Sequence, residues 1–490
     1  MNLQTVANLI DADAVNLAPA LLASEVTGFT IDSRTTRAGE IFFAFAQPDY
    51  KNNGFNGDFA DAHEYVPAAF EHGAVAAVVR ADKLAEHAFL QNFSDRLLIV
   101  NDVIAALQKL AAGVYQKWNK PVVGITGSAG KTTAKELAAA VLANSGRRIL
   151  SNIKNYNNGI GHPLTVLRLL FEKDFDAAVL EMGMSTPMHE IEKLCRITPP
   201  DVAVELNVLP VHLEHLGTIE RIQAAKAELI ENMKPSGTAV LNADDFRVQQ
   251  MREQVAGNRV LTYGIENSAD VMAKEITAVR FGETNFTLEL PNGRAAVTLQ
   301  LVGRHNVLNA LAAAAVGFSF DLQASEIARA LGAVAPPPMR GEVLRFKDNF
   351  EVINDSYNSN PNALLSMVQT LIENGAHARR KIVVAGEMLE LGAAAAEMHF
   401  EIGRKIAQLA APHGVNALYG VRGLARELVA GAQEVGGIEK IEFFSNSDEA
   451  GAAIADQVET GDLILVKGSR GVRMEKIVER LLEKFEQIEN

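Results

Sequence analysis

The sequence has few of the features expected of a secreted, membrane-bound or nucleic-acid-binding protein. Its 490 residues include one cysteine, Cys195, which excludes an internal disulfide framework and is typical of a reducing cytoplasm. Acidic residues outnumber basic ones, 60 against 46, and the net charge of −14 argues against non-specific nucleic-acid binding and against a polybasic membrane contact. No apolar run is long enough to span a bilayer, and the N-terminal stretch MNLQTVANLIDADAVNL lacks the basic start of a signal peptide. These absences predict a soluble cytoplasmic protein that neither enters a membrane nor binds nucleic acid.

An apolar fraction of 48% over so long a chain predicts several hydrophobic cores. Apolar, strand-like runs alternate with helical patterns along the chain, which favours α/β domains. The triple proline Pro336–Pro338 interrupts this alternation, because proline extends neither a helix nor a central strand. We therefore predict three α/β domains, over residues 1–101, 102–337 and 338–490.

The stretch Pro121–Glu136, PVVGITGSAGKTTAKE, has the pattern of a phosphate-binding loop. Its apolar start predicts a buried strand, its glycines would let backbone N–H groups turn toward phosphate oxygens, and the following helix would present its positive end. Lys131 would reach the terminal phosphates and Thr132 would hold Mg²⁺. The usual pattern G-x-x-x-x-G-K-[ST] is not met, and a glycine-rich turn with a surface lysine is the alternative. The predicted phosphate-binding residues are Gly127, Ser128, Ala129, Gly130, Lys131, Thr132 and Thr133.

Polar residues stand where further predicted strands end. Glu181 follows AAVL and Asn207 follows VAVEL, and the carboxyl ends of strands in a parallel sheet line one crevice. A carboxylate beside a phosphate loop suits Mg²⁺, which takes one or two carboxylates together with phosphate oxygens. A solvated glutamate is the alternative for Glu181. The segment NFTLELPNGRAAVTLQL differs, and it predicts a β-hairpin around Asn292-Gly293.

Other candidates in the first two predicted domains have an equally good structural explanation. The asparagine-rich run Asn152–Pro163 could present amides to a polar ligand or form an ordinary turn. His212 could bind metal or phosphate, but a histidine is more often a hydrogen-bond partner. Lys226 lies on a predicted helix, where a lysine is solvated by default. The run Asp49–Phe59, rich in asparagine and glycine, predicts a surface loop.

Two loops of the last predicted domain could bind a nucleotide or another anion. NDSYNSNP supplies an acid suited to ribose hydroxyls and a tyrosine ring that could stack. KGSRGVR follows a predicted strand and offers cations to a carboxylate or phosphate. Taken separately, either loop is compatible with ordinary loop chemistry. The candidate residues are Asp355, Tyr357, Asn358, Lys467, Ser469 and Arg470.

In chain order these stretches resemble the Mur ligases, ATP-dependent enzymes that form amide bonds in bacterial cell-wall precursors. The resemblance runs from about Asp32 to Arg473 through DSR, GITGSAGKTTAKE, NNGIGHPLT, LEMGMS, HLEHLGT, AAKAELI, LNADD, GRHNVLNALAA, NDSYNSNP, GEMLELG and KGSRGVRME. The pair Asn157-Asn158, NDSYNSNP and GEMLELG favour the members that add D-alanyl-D-alanine to UDP-N-acetylmuramoyl-tripeptide. The departures from the family pattern are Leu206 before Asn207, Met188-His189 where a glycine is usual, and the long loop Pro48–Phe59.

The resemblance implies a fold, cofactors and site residues. The fold would comprise a small N-terminal α/β domain that binds UDP, a central P-loop ATPase-like domain with helices on both faces of a mostly parallel sheet, and a C-terminal Rossmann-like α/β domain. The implied cofactors are ATP and two Mg²⁺ ions, together with a carbamylated lysine. The implied oligomeric state is a monomer. The implied catalytic residues are Lys131, Lys226 and His212, and the implied metal ligands are Thr132, Glu181, His212 and Lys226. Beyond the phosphate loop, the implied nucleotide residues are Asn306, Asn309, Arg340, Asp355, Tyr357 and Asn358. The implied substrate residues are Ser33 and Arg34 at the UDP end, then Asn157 and Asn158, with Lys467, Ser469 and Arg470 on the dipeptide side.

The implied reaction transfers the γ-phosphoryl group of ATP to the terminal carboxylate of the tripeptide. The amine of D-alanyl-D-alanine would attack the resulting acyl phosphate, releasing phosphate and leaving ADP. The third residue of the tripeptide, diaminopimelate or lysine, is left open. The rival functions are a folylpolyglutamate synthase of the same superfamily, which the N-terminal DSR segment disfavours, and an ATPase or nucleotide-gated switch that forms no amide.

Overall fold

The strands that the computed structural model describes form three separate sheets. It describes residues 1–153, 155–172, 174–184, 189–210, 216–280, 282–336, 338–410 and 414–488. Three positions that the sequence singled out, His212, Met188 and Pro337, lie outside these residues. The predicted α/β fold class is confirmed, because each sheet is wholly or mostly parallel and packs against helices.

The first sheet has four parallel strands among the described residues, in the order β1-β2-β3-β4. Its strand Ala76–Arg80 is buried along its whole length, as expected of a parallel strand covered on both faces. The strands are β1 Gly28–Thr30, β2 Glu40–Phe43, β3 Ala76–Arg80 and β4 Leu97–Val100. The helices of this part are α1 Leu3–Leu9, α2 Pro19–Leu22, α3 Gln47–Asn52, α4 Val66–Glu71 and α5 Lys83–Glu86.

The prediction of a surface loop over Asp49–Phe59 is wrong at its start, which belongs to helix α3 (Gln47–Asn52). Asp49 is fully buried and accepts hydrogen bonds from the backbone N–H groups of Ala46, at 2.7 Å, and Val103, at 2.9 Å. The Arg80 guanidinium donates to the same carboxylate at 2.8 Å. A buried carboxylate is stable only when it is paired and hydrogen-bonded in this way. Arg80 and Val103 lie 31 and 54 positions away in the sequence, so the local composition could not indicate them.

The middle sheet has nine strands within the described ranges, in the order β13-β12-β11-β10-β9-β8-β5-β7-β6. Neighbouring strands are parallel except for β11-β12 and β12-β13. The predicted hairpin is confirmed, since Leu290 pairs with Gly293 across its turn. The strands are β5 Val122–Thr126, β6 Ile149–Ser151, β7 Ala177–Glu181, β8 Val202–Glu205, β9 Thr238–Asn242, β10 Arg259–Gly264, β11 Val271–Arg280, β12 Glu283–Leu290 and β13 Gly293–Leu299. The helices are α6 Val103–Trp118, α7 Lys131–Ala143, α8 Gly161–Leu167, α9 Glu190–Ile197, α10 Ile219–Glu231, α11 Phe246–Gln250, α12 Arg304–Ser319 and α13 Ala324–Gly332.

Helices cover both faces of the middle sheet. On one face α7 packs closely against α12, because a Cβ added to Gly317 of α12 would lie 2.6 Å from a methyl carbon of Val141. On the other face α9 and α10 supply core residues such as Leu194 and Leu229. The carboxyl ends of β5, β7 and β8 therefore meet at one edge of the sheet, with helices on either side.

The C-terminal sheet has six strands in the part of the chain that the structure describes, in the order β14-β15-β19-β16-β17-β18. Only β14 is antiparallel to its neighbour among these pairs. The strands are β14 Glu342–Arg345, β15 Glu351–Asp355, β16 Arg380–Gly386, β17 Val415–Val421, β18 Lys440–Phe444 and β19 Asp462–Lys467. The helices are α14 Pro361–Asn374, α15 Ala395–Ala410, α16 Ala425–Val435, α17 Ser447–Gln457 and α18 Glu475–Lys484.

Helix α6 (Val103–Trp118) lies between the first and middle sheets. Asp102 caps its start by accepting a hydrogen bond from the Ala105 N–H at 2.8 Å. Its buried residues share a hydrophobic cluster with residues of both sheets, among them Val78 and Leu180. The predicted domain limits at residues 101 and 337 stay predictions. Among the described residues, the helices are all too short or too polar to cross a membrane.

Candidate active site

A cleft of about 520 Å³ lies between the middle and C-terminal sheets. It brings together residues predicted from widely separated parts of the sequence. The predicted residues in its wall are Ser128, Ala129, Gly130, Lys131, Thr132, Thr133, Asn157, Glu181, Asn306, Asn309, Arg340, Asp355, Tyr357, Asn358 and Lys467. The predicted residues that the structure describes outside this wall are Ser33, Arg34, Gly127, Asn158, Lys226, Ser469 and Arg470.

The loop between β5 and α7 has the strand-turn-helix geometry of a phosphate-binding loop. The strand ends at Thr126 and the helix begins at Lys131, so the first turn of α7 faces the cleft. Gly130 caps the helix with a φ of 84°, a conformation that favours glycine. A Cβ at this position would also collide with the Oδ1 of Asn309 from α12. Position 130 therefore has to be glycine.

Asn207 fixes the opposite side of the phosphate-binding loop. Its side-chain oxygen accepts a hydrogen bond from the Ala129 N–H at 2.9 Å, and its amide donates to the Ala129 carbonyl at 3.1 Å. The Ser128 N–H donates to the backbone carbonyl of Asn207 at 3.0 Å. The sequence placed Asn207 at this edge of the sheet, but only the structure shows that it supports the loop.

Lys131 is turned back onto its own loop, where its ammonium donates to the Gly127 carbonyl at 2.8 Å. Burial lowers the pKa of this ammonium; the negative charge of Glu181 opposes the shift, and the positive charge of Arg340 adds to it. Arg340 comes from the segment before β14, so a cation from the far wall of the cleft approaches the phosphate-binding lysine.

Glu181 is held by three hydrogen bonds, two to its carboxylate and one from its backbone. Thr132 donates its hydroxyl to one oxygen at 2.8 Å, and the Asn157 amide donates to the other at 2.7 Å. The backbone N–H of Glu181 donates to the side chain of Asn152 at 2.6 Å. A carboxylate and a threonine hydroxyl, both hard oxygen donors next to a phosphate loop, are the donor set that Mg²⁺ prefers.

The asparagine-rich run supports the site from within the protein. Asn157 uses its amide on Glu181, whereas Asn158 accepts hydrogen bonds from the N–H groups of Ile160, at 3.2 Å, and Gly161, at 2.9 Å. Asn158 therefore stabilises the start of α8. The roles of both residues in substrate binding stay predictions.

A buried Lys226 lies opposite a buried acid that the sequence analysis did not single out. Lys226 is 2% exposed, and its ammonium has no hydrogen-bond partner among the described residues. Burial lowers its pKa to about 7, with a further contribution from the positive charge of Lys131 and an opposing one from Glu205. The default expectation of a solvated lysine at this position is wrong, because its face of α10 packs on the sheet.

Glu205 is the last residue of β8 and is fully buried. Neither carboxylate oxygen has a hydrogen-bond donor within the described part of the chain. Burial raises the pKa of this carboxyl well above its ordinary value, although the positive charge of Lys226 acts in the opposite direction. In the sequence, the charge of Glu205 within the apolar run VAVEL could have indicated a buried acid at this position.

Beyond the cleft from the phosphate loop, the C-terminal sheet supplies a compact set of charged and aromatic groups. The Lys467 ammonium donates to the Asp355 carboxylate at 2.6 Å and to the Asn358 carbonyl at 2.9 Å. The Arg340 guanidinium lies 4.1 Å from the centre of the Tyr357 ring, a cation–π contact. Aromatic and charged groups therefore face the phosphate loop across the cleft.

The remaining predicted residues lie away from this centre. Ser33 and Arg34 lie in a short 3-10 helix between strands β1 and β2 of the first sheet. The exposed Arg34 guanidinium pairs with Asp32 at 2.7 Å. Ser469 accepts a hydrogen bond from the Leu389 N–H at 3.0 Å. The half-exposed Arg470 pairs with Glu475 at 3.2 Å.

Comparison with known proteins defines the class to which this fold and site belong. Residues 125–317 match the Mur ligase middle domain, and residues 339–470 match the Mur ligase glutamate ligase domain. The chain belongs to the Mur ligase family, and the resemblance read from its motifs is confirmed.

Within the family, several relatives that share one enzyme name are similar to this protein over nearly the whole chain. The UDP-N-acetylmuramoyl-tripeptide–D-alanyl-D-alanine ligase of Bacillus subtilis strain 168 is 31% identical over 482 residues, which cover 98% of each chain. The enzyme of the same name from Escherichia coli K12 is 32% identical over 93% of each chain. A crystal structure of MurF from Acinetobacter baumannii aligns with a TM-score of 0.85, at 27% identity and 99% coverage of both chains. MurF from Thermotoga maritima in complex with ADP aligns with a TM-score of 0.79, at 28% identity, covering 96% of this chain and 99% of the other.

The Glu205→Gln variant should change how stability depends on pH. An unfolded glutamate ionises near pH 4.3, whereas the buried Glu205 carboxyl keeps its proton to a higher pH, so the parent loses stability as pH rises above about 5. A neutral glutamine makes no such pH-dependent contribution to the free energy of unfolding. We expect the free energy of unfolding of the variant to improve relative to the parent as the pH rises from about 5 to 6.5, with a slope of at most roughly 1.4 kcal/mol per pH unit. Urea unfolding across that range measures it.

This range stays below the pKa of about 7 of Lys226, whose own contribution has the opposite sign at higher pH. The matched control is Glu253→Gln at an exposed position, which should follow the pH dependence of the parent. Equal slopes for Glu205→Gln and the parent would show that Glu205 is ionised in the folded protein.

Proposed function

We propose that this protein is an ATP-dependent ligase that joins D-alanyl-D-alanine to UDP-N-acetylmuramoyl-tripeptide in the synthesis of peptidoglycan precursors. One observation carries the proposal: the phosphate loop and Glu181 line the same cleft as Asp355 and Tyr357 of the C-terminal sheet. The similarity to relatives of that activity extends over nearly the whole chain, so the substrate-binding parts are included.

In the proposed reaction, the terminal carboxylate of the tripeptide attacks the γ-phosphorus of ATP, and ADP leaves. The amine of D-alanyl-D-alanine then attacks the acyl phosphate carbon, expels phosphate and loses a proton as the amide forms. Lys131 would move from the Gly127 carbonyl onto the transferred phosphoryl group, where a positioned cation stabilises developing charge. The enclosing walls of the cleft would limit hydrolysis of the acyl phosphate.

The nucleotide is proposed to lie across the cleft. Its phosphates would be bound by the loop Gly127–Thr133 and the start of α7, while Asp355 would accept hydrogen bonds from ribose and Tyr357 would contact the nucleotide. Asn306, Asn309, Arg340 and Asn358 complete the proposed nucleotide site. The ADP complex of the Thermotoga maritima relative supports a nucleotide in this fold.

Two Mg²⁺ ions are part of the proposal, with Thr132 and Glu181 as ligands whose oxygen donors fit the metal. The other proposed ligands are Lys226, as its carbamate, and His212, which lies outside the described residues. When bound, the metal neutralises charge on the phosphates.

The substrate ends are assigned by prediction alone. Ser33 and Arg34 are proposed for the UDP end, Asn157 and Asn158 for the tripeptide, and Ser469 and Arg470 for the dipeptide side. The dipeptide role of Lys467 stays a prediction. A monomeric state and a cytoplasmic location also stay predictions. Assays with both UDP-tripeptides, containing diaminopimelate or lysine, would decide the third residue.

The reaction class has a direct test in the fate of oxygen. If the tripeptide carboxylate carries ¹⁸O, one labelled oxygen should appear in the released phosphate, because that oxygen bridges to phosphorus in an acyl phosphate. Mass spectrometry of the phosphate measures the transfer. Omitting D-alanyl-D-alanine or UDP-tripeptide should abolish steady phosphate release. Unlabelled phosphate from the complete reaction would exclude the acyl phosphate, and equal release without substrates would favour an ATPase.

Lys131→Ala should remove a positioned charge from the transferred phosphoryl group. We expect turnover to fall by roughly 10²-fold or more while the protein stays folded. Steady-state ligation rates together with thermal unfolding measure the two effects. Lys117→Ala, on the exposed face of α6, is the control and should retain the parental rate. Near-parental turnover of Lys131→Ala would remove this lysine from the mechanism.

Lys226 is proposed to act as a carbamate. Its pKa of about 7 leaves a large neutral fraction near neutral pH, and a neutral amine can add CO₂ to form an anion that a metal ion would stabilise. Its ammonium has no competing hydrogen bond to the described residues. The modified side chain would carry a negative charge toward the phosphate site.

Lys226→Ala should therefore lose most activity and regain part of it with added formate or acetate, which can occupy the vacated anionic position. Removing CO₂ and bicarbonate from the buffer should slow the parent enzyme. Arg221→Ala, at an exposed position of the same helix, should respond to neither treatment. A parental rate for Lys226→Ala would contradict the proposal, as would a loss of activity that no carboxylate restores.

A further inference from the structure

Lys467 and Asp355 are the last residues of two adjacent parallel strands. Strand β15 (Glu351–Asp355) pairs with β19 (Asp462–Lys467), and the two residues are direct partners in the register. Both strands end at the cleft, so the pair lies at the junction of sheet and site. Lys467 is 3% exposed, which is unusual for a lysine unless its charge is paired.

Two acceptors already bind the Lys467 ammonium in this arrangement. It donates to the Asp355 Oδ2 at 2.6 Å and to the backbone carbonyl of Asn358 at 2.9 Å, which uses two of its three N–H groups. These bonds hold the loop that carries Tyr357 against the end of β19. Binding the anionic end of a dipeptide would take Lys467 away from Asp355 and leave a carboxylate in a largely buried position without its cation.

Only one of the two oxygens of the Asp355 carboxylate accepts a hydrogen bond from the described residues. Its Oδ2 accepts from Lys467, whereas its Oδ1 has no hydrogen-bond donor among the described residues, and the side chain is part of the cleft wall. The pairing therefore fixes the plane of the carboxylate and leaves one oxygen for a hydroxyl in the cleft. By contrast, Arg470 on the same segment is half-exposed, so its guanidinium is accessible to an anionic substrate.

We infer that Lys467 is a positioning residue for the nucleotide: it orients Asp355 so that Oδ1 accepts a hydrogen bond from a ribose hydroxyl, and it does not bind the dipeptide. This inference rests on the proposed function, since it takes the cleft as the nucleotide site. It replaces the predicted dipeptide role of Lys467, whereas the half-exposed Arg470 stays available for that role.

The test is ribose recognition by the full-length protein, measured by calorimetric titration with ADP and with 2′,3′-dideoxy-ADP. The parent should bind ADP more tightly than the dideoxy analogue, because only ADP has hydroxyls for Asp355. Lys467→Met, which keeps most of the length of the side chain but has no charge, should weaken ADP binding by roughly 10-fold or more, as expected when a hydrogen bond to a charged group is lost. It should bind the dideoxy analogue about as the parent does, so that discrimination disappears.

Two further measurements separate positioning from a general structural effect. Asp355→Asn should abolish the same discrimination, and adding Lys467→Met to it should cause little further loss of ADP affinity, since the two residues act as one unit. The KM for D-alanyl-D-alanine should stay within about 2-fold of the parent in Lys467→Met, whereas a dipeptide ligand would raise it 10-fold or more. Lys405→Met, at an exposed position of α15, is the matched control and should bind both nucleotides as the parent does.

The outcomes distinguish this inference from the proposed function. If the parent binds neither nucleotide, the proposed function fails. If the parent discriminates between the two nucleotides and Lys467→Met discriminates equally well, or shows the loss only in the KM for dipeptide, the inference is overturned. Should Lys467→Met not fold, Lys467→Gln replaces it, because its side chain is polar but uncharged. The amide nitrogen ends one atom short of the lysine ammonium, so it should not hold Asp355 and most of the discrimination should be lost; unchanged discrimination would again overturn the inference.

Discussion

The Glu181 carboxylate joins the segments on which the active site depends. It receives a hydroxyl from Thr132 at the start of α7 and an amide from Asn157 in the asparagine-rich run, while its own backbone is fixed by Asn152. A carboxylate at the end of a buried strand has few ways to be solvated, so its neighbours must supply the donors. The phosphate loop, β7 and the asparagine run are consequently held in one relative position.

The same principle of compensated burial recurs in the C-terminal sheet. Asp355 and Lys467 pair across adjacent strand ends, and the pair fixes the loop with Tyr357, on which Arg340 stacks. Arg340 in turn contributes to the lowered pKa of Lys131 on the other side of the cleft. The two walls are thus electrostatically connected, and a polyanionic nucleotide would relieve the repulsion between the cations that face each other.

Lys226 and Glu205 differ from these pairs because neither has a hydrogen-bond partner among the described residues. A lysine whose pKa falls to about 7 and a glutamate whose pKa rises are both displaced toward their neutral forms by burial. Such groups are costly to a folded protein and are concentrated at functional sites. Both groups lie close to the phosphate loop, because Glu205 pairs with Thr126 in the sheet and the charge of Lys131 acts on Lys226.

Much of the fold could be read from local pattern. Apolar runs gave the strands β5, β7 and β8, the Asn292-Gly293 turn gave the hairpin, and the glycines with Lys131 gave the phosphate loop, because each depends on residues within one short segment. The roles of Asn207 and Asn157 as supports could not be read in this way, since their partners lie about 24 to 78 positions away.

The sequence by itself determined the sequential order of strands and helices, the chemistry available at the strand ends and the family. Tertiary structure alone decided which of those groups pair with one another in the folded protein. Asp49 became a buried partner of Arg80 instead of part of a surface loop, and Lys467 became a partner of Asp355. Lys226 is buried and not solvated because its face of the helix packs on the sheet. The physical reason is that burial and pairing depend on three-dimensional neighbours, whereas propensity and turn chemistry depend on neighbours in the chain.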